Sequence, residues 1–168
     1  MIGNDIIDLK LAARQSNWKR KGFLDKIFTT VEQNTINSNT KPELMVWLLW
    51  SMKEAAYKIY NRETGHRGYF PHLLSCTLTS YSDNSYKGFV NYKDKSYYTS
   101  TEISDDMLHT VAVENVVNLN NINSIERASV TKDKSGIPYL ITEKGLIPIS
   151  ISHHGRFSKT VKVKRPVN

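Results

Sequence analysis

The segment Trp50-Ser51-Met52-Lys53-Glu54-Ala55-Ala56-Tyr57-Lys58 places a carboxylate and an ammonium four residues apart. In a helix, positions i and i+4 share a face one turn apart, so Glu54 and Lys58 project side by side. Near the N-terminus, Gly3-Asn4-Asp5 supplies a second carboxylate. A hard cation such as Mg²⁺ takes oxygen ligands, typically one or two protein carboxylates together with water and phosphate oxygens. Asp5 and Glu54 are therefore candidate metal ligands, and Lys58 is a candidate partner for phosphate. Each also has an ordinary reading. Glu before Lys at i, i+4 is the favourable order for a surface ion pair worth ~0.3–0.5 kcal/mol. Asp5 could simply end a strand, although an Asp inside an apolar strand is costly unless paired or liganded.

A second group is Ser150-Ile151-Ser152-His153-His154-Gly155-Arg156. Strand alternation puts Ser150 and Ser152 on one side, with His153 at the strand end before a Gly turn. Hydroxyls, an imidazole, a guanidinium and free backbone N–H groups at one strand end suit a phosphate. The alternative is a solvated hairpin turn. Neighbouring histidines at a strand end point apart, which argues against a zinc site from these two alone. A Ser/His nucleophile pair lacks a visible partner acid or G-x-S-x-G elbow. His66, His72 and His109 stand alone and read as structural. Trp47 and Trp50 lie in the apolar stretch that leads into the Glu54 helix and read as core.

The elements that must position these residues follow from periodicity and punctuation. Ile2 to Leu9 reads as a first strand, Leu11 to Trp18 as a short helix, and Phe23 to Asn34 as a second helix with Leu24, Ile27, Phe28 and Val31 at helical spacing. Asn34 to Lys41 is a polar loop. Thr40 as cap and Pro42 in the first turn start the main helix, Glu43 to Tyr60, and Arg62 to Gly68 is a Gly-containing loop. Beyond Leu73 the pattern turns to short β-branched or aromatic runs: Ser75 to Tyr81, Gly88 to Asn91, Ser96 to Thr101 and Leu108 to Val113. Asn115 to Glu126 is Asn-rich and carries no clear pattern. Ala128 to Thr131 and Pro138 to Thr142 form a hairpin about the 134–136 turn, and Ile147 to Ser152 and Ser158 to Val163 close the chain. Helices early and strands late predict an α+β fold with helices packed on one face of an antiparallel sheet.

The 168 residues fit one domain, with residues 1–115 as a core holding the metal site and 116–168 as C-terminal strands. With 39% hydrophobic and 23% charged residues, a globular fold is the default. Cys76 is the single cysteine, which excludes an intrachain disulfide and favours a reducing compartment. No signal-peptide pattern is present, and the apolar run Leu44 to Trp50 is far short of the ~20 residues of a membrane span; a cytoplasmic location is expected. The net charge of +7 is clustered. Lys10, Arg14, Lys19, Arg20, Lys21 and Lys26 face one acid, Asp25, and Arg156, Lys159, Lys162, Lys164 and Arg165 face none. Such segments imply an anionic partner.

Together these motifs resemble the 4′-phosphopantetheinyl transferase superfamily. Gly3-Asn4-Asp5-Ile6-Ile7-Asp8-Leu9 is similar to its first metal-site motif, Phe28-Thr29-x-x-Glu32 to its intervening helix start, and Trp50 to Lys58 to its W-S-x-K-E-A-x-x-K hallmark. Tyr97 to Val113 resembles the closing strand pair of the family core. Gly136-Ile137-Pro138-Tyr139-Leu140 and Ile149 to Arg156 resemble the G-x-P and S-x-S-H-x-G segment that surfactin-type members carry before the Asp motif; here it follows. The smaller holo-acyl-carrier-protein synthases also end with a Ser-x-x-His strand. Surfactin-type enzymes have an Asp-x-Glu pair, and this chain has Ile7 in place of that Glu. Leu48-Leu49 stand where smaller synthases often carry a basic residue.

The resemblance implies transfer of the 4′-phosphopantetheine arm of coenzyme A to a serine of an acyl or peptidyl carrier protein, with release of 3′,5′-ADP. It implies Mg²⁺ on Asp5 and Glu54, Lys58 neutralising phosphate, and Glu54 as base, directly or through water. Ser152, His153 and Arg156 would hold phosphates of coenzyme A. The basic Lys10 to Lys21 segment becomes a docking face for an acidic carrier protein. No membrane partner is expected, and the oligomeric state is open, since the small synthases build sites between subunits and surfactin-type enzymes within one chain. The rival reading is a basic α+β module binding nucleic acid or another anion, with Tyr86, Tyr92, Tyr97 and Tyr98 interleaved with Lys87, Lys93 and Lys95.

Overall fold

The computed structural model describes residues 1–125 and 129–164. Glu126, Ala128 and Arg165, which figured in the sequence reading, lie outside the described residues. Five strands, β1 (Ile2–Asp8), β2 (Ser75–Ser82), β3 (Ser85–Tyr92), β4 (Lys95–Ser104) and β5 (Met107–Val113), form an antiparallel sheet in the order β1-β5-β4-β3-β2. The strand regions expected between Ser75 and Val113 are present and extended at the tight turns that join them, but the first strand stops at Asp8, and the single strand expected over 147–152 is broken at Ile149 into two that belong to different sheets. The α-helices among the described residues are α1 (Leu9–Gln15), α2 (Phe23–Ile27), α3 (Thr30–Ser38) and α4 (Pro42–Thr64). The expected α+β class holds, with α4 lying across one face of the sheet.

Strand alternation divides the residues of β1 between two apolar clusters. Ile7 joins Leu108, Ala112, Val90 and Tyr97 beneath α4, where Leu48, Leu49, Met52, Ala55, Ala56 and Ile59 complete the main core. Ile2 faces the other way, with Val111, Val113 and Val161. That second face is covered by part of a smaller sheet, β6 (Ile122–Ser124), β10 (Ser150–His154) and β11 (Phe157–Val163), in the order β10-β11-β6. A third sheet runs β7 (Val130–Lys132), β8 (Pro138–Thr142) and β9 (Gly145–Pro148). The unassigned Asn-rich stretch contains a 3₁₀ turn, Val116–Asn121, followed by β6.

The expectations for all three predicted helices need correction. The single helix over 23–34 is two, broken at Phe28-Thr29. Thr29 caps α3 by accepting from the Glu32 amide at 3.3 Å while the Glu32 carboxylate accepts from the Thr29 amide at 2.7 Å. This reciprocal capping box satisfies the backbone N–H groups that a new helix start leaves open. Helix α3 then runs on to Ser38, through residues expected to be loop, because Ile36 is fully buried and anchors its last turn. Helix α1 begins at Leu9, since Asp8 accepts from the Leu11 amide at 3.2 Å. Thr40 is not the cap of α4: Lys41 precedes it without a side-chain cap, Pro42 sets the first turn, and Gly65, at φ 68°, ends the helix four residues beyond Tyr60.

Gly3 explains how β1 reaches α4. A Cβ at this position would lie 2.0 Å from the Ala55 carbonyl oxygen. Only glycine lets strand and helix backbones come this close, and that approach sets Asp5, two residues on and on the same face, against the Glu54–Lys58 turn.

Candidate active site

Asp5 projects from the α4 face of β1 and is 13% exposed. The Lys58 Nζ lies 3.7 Å from its Oδ1 and donates to the Asn4 carbonyl oxygen at 2.6 Å. Ser152 Oγ donates to Asp5 Oδ1 at 3.2 Å and accepts from the Ile6 amide at 3.1 Å. Glu54 stands one helical turn before Lys58. Burial, reinforced by the negative charge of Asp5, pushes the Glu54 carboxyl up to about 7 against the opposing influence of Lys58 and Tyr69. Burial also raises Asp5, with Lys58, Ser51 and Ser152 pulling the other way. Two carboxylates and one ammonium thus share a poorly hydrated corner that carries too much negative charge to be fully ionised as it stands.

Two hydroxyls border the pair. Ser51, fully buried on α4, lies near Asp5 outside hydrogen-bond geometry, and Tyr69 lies near Glu54 in the same way. The Tyr69 ring spans Trp50 (centroids 6.1 Å, 87° between planes) and Tyr57 (4.7 Å, 47°). Trp50 is therefore half-buried beside the site, whereas Trp47 belongs to the core. Sequence reading left Ser51 and Tyr69 without a role. Ser51 was visible in the motif, but Tyr69 lies in a loop whose docking over Glu54 has no local signal.

Strand β10 reaches this corner by a comb of side chains. Ser150 Oγ accepts from the Asn4 amide at 2.9 Å, Ser152 Oγ from Ile6, and His154 Nδ1 from the Asp8 amide at 2.9 Å. These are alternate amides on the edge of β1 that does not pair with β5. The carbonyls of that edge are met from α4, by Lys58 at Asn4 and by Arg62 at Ile2 (3.5 Å). An otherwise open sheet edge is closed by side chains rather than by a further strand. The spacing Ser150-x-Ser152-x-His154 thus has a structural meaning, and it is His154, not singled out from the sequence, that completes it. All of this occurs within one chain.

His153 and Arg156 are not brought to the Asp5–Glu54–Lys58 corner. His153 is exposed on the opposite side of β10, on a cavity of about 700 Å³ that Lys132, Pro138, Arg156 and Phe157 also line. The Arg156 guanidinium donates to both Asp8 oxygens at 2.8 Å and to Asp106 Oδ2 at 3.2 Å. Arg156 holds the Asp8 carboxyl far below the usual range. Gly155, at φ 54°, brings the turn so near Asp8 that a Cβ there would sit 2.6 Å from its Oδ2.

Other residues of the sequence reading also find their places. Ile7 lies in the main core, so its position cannot offer a further ligand. Lys53, two residues from Ser51, pairs with Glu32 at 2.7 Å in the fully buried interior. His109 Nε2 accepts from the Asn4 side-chain Nδ2 at 3.2 Å, and burial lowers the imidazole to about 4, which suits a structural role. Tyr92 and Tyr97, named for a nucleic-acid stacking surface, are 4% and 1% exposed and belong to the core. Among the described residues no helix is long and apolar enough to cross a membrane.

The family model of the 4′-phosphopantetheinyl transferase superfamily matches residues 1–113, which include Asp5, Glu54 and Lys58. No curated protein sequence matches the chain. The crystal structure of holo-acyl-carrier-protein synthase from Neisseria meningitidis superposes with a TM-score of 0.54 at 21% identity, over 68% of this chain and 96% of that one. That of the Thermotoga maritima holo-acyl-carrier-protein synthase gives 0.48 at 13% identity, over 98% of this chain and 83% of that one. The first superposition shows a shared fold across most of this chain. Its motifs and the match over two-thirds of its length place the chain in the 4′-phosphopantetheinyl transferase superfamily, and it is a transferase.

Proposed function

We propose that this transferase moves the 4′-phosphopantetheine arm of coenzyme A to a serine of an acyl or peptidyl carrier protein, with Mg²⁺ as cofactor. The observation that carries the reading is the convergence of Asp5, Glu54 and Lys58 in one buried corner, with the Glu54 carboxyl raised to about 7. The donor set suits Mg²⁺, which is held by one or two carboxylates and keeps waters and phosphate oxygens as its remaining ligands. Among the described residues no group of three or more His, Cys, Asp or Glu gathers for a metal, so a cage of protein ligands is not on offer. Asp5 and Glu54 would hold the ion, and when bound it would supply charge neutralisation at the pyrophosphate.

The chain's own residues account for the rest. The serine hydroxyl of the carrier attacks the phosphorus that bears the pantetheine arm. A serine O–P bond forms, the P–O bond to the adenosine phosphate breaks, and 3′,5′-ADP leaves. Glu54 takes the serine proton, directly or through water. Lys58 is a third exposed, has a proton beyond the one given to Asn4, and neutralises the transferred phosphate. Ser152 acts as a positioning residue by orienting Asp5. The 700 Å³ cavity with Lys132 and His153 on its wall suits a phosphate of coenzyme A, while the Arg156 fork stays with Asp8 and Asp106. Arg14, Lys19, Arg20 and Lys21 are exposed around α1 and suit an acidic carrier.

The test is carrier modification followed by mass spectrometry with coenzyme A and Mg²⁺. Glu54→Gln should slow transfer by about 10²–10⁴-fold, the range for a lost acid–base group. Transfer at the wild-type rate would overturn the assignment. His153→Ala should raise the KM for coenzyme A and leave kcat largely intact.

A further inference from the structure

Buried polar atoms without a partner are rare, and each costs about 1–3 kcal/mol if nothing completes it. Two of those without a well-formed hydrogen bond among the described residues, Ser51 Oγ and Tyr69 OH, lie beside Asp5 and Glu54 respectively, near enough to pull each carboxyl down. Their positions follow from helix geometry. Ser51 precedes Glu54 by three residues and Lys58 by seven, so all three share the stripe of α4 that faces β1 and Asp5. Trp50 and Tyr57 flank Glu54 at −4 and +3. The Tyr69 ring bridges Trp50 and Tyr57 and therefore lies across Glu54, its orientation fixed by two aromatic contacts rather than by its hydroxyl.

We propose that the Ser51 and Tyr69 hydroxyls are hydrogen-bond partners of the water shell of a divalent cation held by Asp5 and Glu54, and thereby positioning residues for that cation. This rests on the cation reading given above. Two carboxylates leave most positions of an octahedral ion to water and phosphate, and those waters need partners. A serine on the Asp5 side and a phenol on the Glu54 side supply one each. The ring of Tyr69 also roofs Glu54, so one side chain both limits bulk water and completes the shell.

The experiment titrates Mn²⁺ into wild type, Tyr69→Phe, Ser51→Ala and Glu54→Gln, with and without coenzyme A, following free Mn²⁺ by its electron paramagnetic resonance signal. Thermal melts of the metal-free proteins run beside it. Tyr69→Phe and Ser51→Ala should each weaken Mn²⁺ binding about tenfold, as loss of an outer-shell partner does, while the metal-free melting temperature holds or rises because an uncompensated buried hydroxyl has gone. A melting temperature that falls with Mn²⁺ affinity within twofold of wild type would make the hydroxyls merely structural and overturn the proposal; so would unchanged affinity at unchanged stability. If Glu54→Gln binds Mn²⁺ as wild type does, or wild type binds none in either titration, the cation reading itself falls and takes this one with it.

Discussion

Lys53 and Lys58 leave the same helix five residues apart, and each meets a carboxylate, Glu32 in one case and Asp5 in the other. Lys53 is fully buried and donates to Ile27 O at 2.8 Å, Glu32 Oε2 at 2.7 Å and Pro71 O at 2.9 Å, which uses all three of its protons. Glu32 is equally committed, accepting from the Thr29 amide and, at 2.7 Å, from the Cys76 amide. Lys58 is a third exposed, makes one short hydrogen bond, and stands 3.7 Å from Asp5. Glu54 beside it has no well-formed hydrogen bond among those described and is raised to about 7. The difference separates two uses of the same chemistry. A charge whose every site is occupied can only tie elements together, here α2, α3, α4 and the 3₁₀ turn Pro71–Leu73. A charge left partly unsatisfied in a poorly hydrated place can take up something from outside.

Breaking the first pair should show that it is purely structural. Lys53→Met leaves Glu32 buried and uncompensated, and should lower stability by about 3–5 kcal/mol in urea melts. Any protein that remains folded should keep a wild-type Mn²⁺ affinity. Weaker metal binding in folded Lys53→Met would erase the distinction between the two lysines.

The second pair should respond to pH in the opposite sense from ordinary carboxylates. The raised Glu54 carboxyl holds its proton in the folded, metal-free protein up to about pH 7, and gives it up near the ordinary value of 4.5 when unfolded. Between those values the folded state binds more protons, so stability falls as pH rises. Glu54→Gln removes that fall, and metal-free Glu54→Gln should exceed wild type by roughly 2–3 kcal/mol at pH 8 and match it near pH 4. Equal stability at both pH values would mean that Glu54 is well solvated. His109 works the other way: lowered to about 4 from 6.5, it should cost stability as pH falls through that interval, and His109→Gln should flatten the acid limb of the profile.

Ser152→Ala sharpens the comparison on the β1 side. It leaves the Ile6 amide without its side-chain acceptor and removes one donor from Asp5, for about 1–3 kcal/mol of stability. A loss of transfer rate greater than that seen with Ser150→Ala would separate orientation of Asp5 from simple closure of the strand edge, and equal losses would argue against such a role. The smallest effect belongs to the exposed charges. Arg14→Glu with Lys19→Glu should weaken carrier binding several-fold at low salt and little at high salt, without moving the melting temperature. Salt-independent affinity would remove α1 from the docking face.

Much of this is legible in the sequence. Glu54 and Lys58 are neighbours because helix period makes them so, and the strand nature of β1 and β10 follows from alternation. The limits are equally specific. At Phe28-Thr29 the helical spacing of Leu24, Ile27, Phe28 and Val31 and the resemblance of Phe28-Thr29-x-x-Glu32 to a helix start point different ways, and the structure follows the second, with Glu32 also held by Lys53 from another helix. Arg156 was read as a phosphate ligand from its type and its Gly turn, but its fork is taken by Asp8 and Asp106, residues 148 and 50 positions away. His153 and His154 are indistinguishable as a dipeptide; the pleat sends one to β1 and the other to the cavity.

By itself the sequence determined the class of the fold, the membership of the superfamily, and the residue types able to hold a cation and a phosphate, because these depend on local periodicity and on motifs read along the chain. Which of two lysines is structural, which histidine closes β1, and that two hydroxyls border the carboxylates were decided only by tertiary packing. The reason is geometric. Positions 53 and 58 lie roughly 140° apart around α4, so one lysine points into the interior and the other to the site, and only the docking of α3, β1 and the Tyr69 loop fixes what each of them meets.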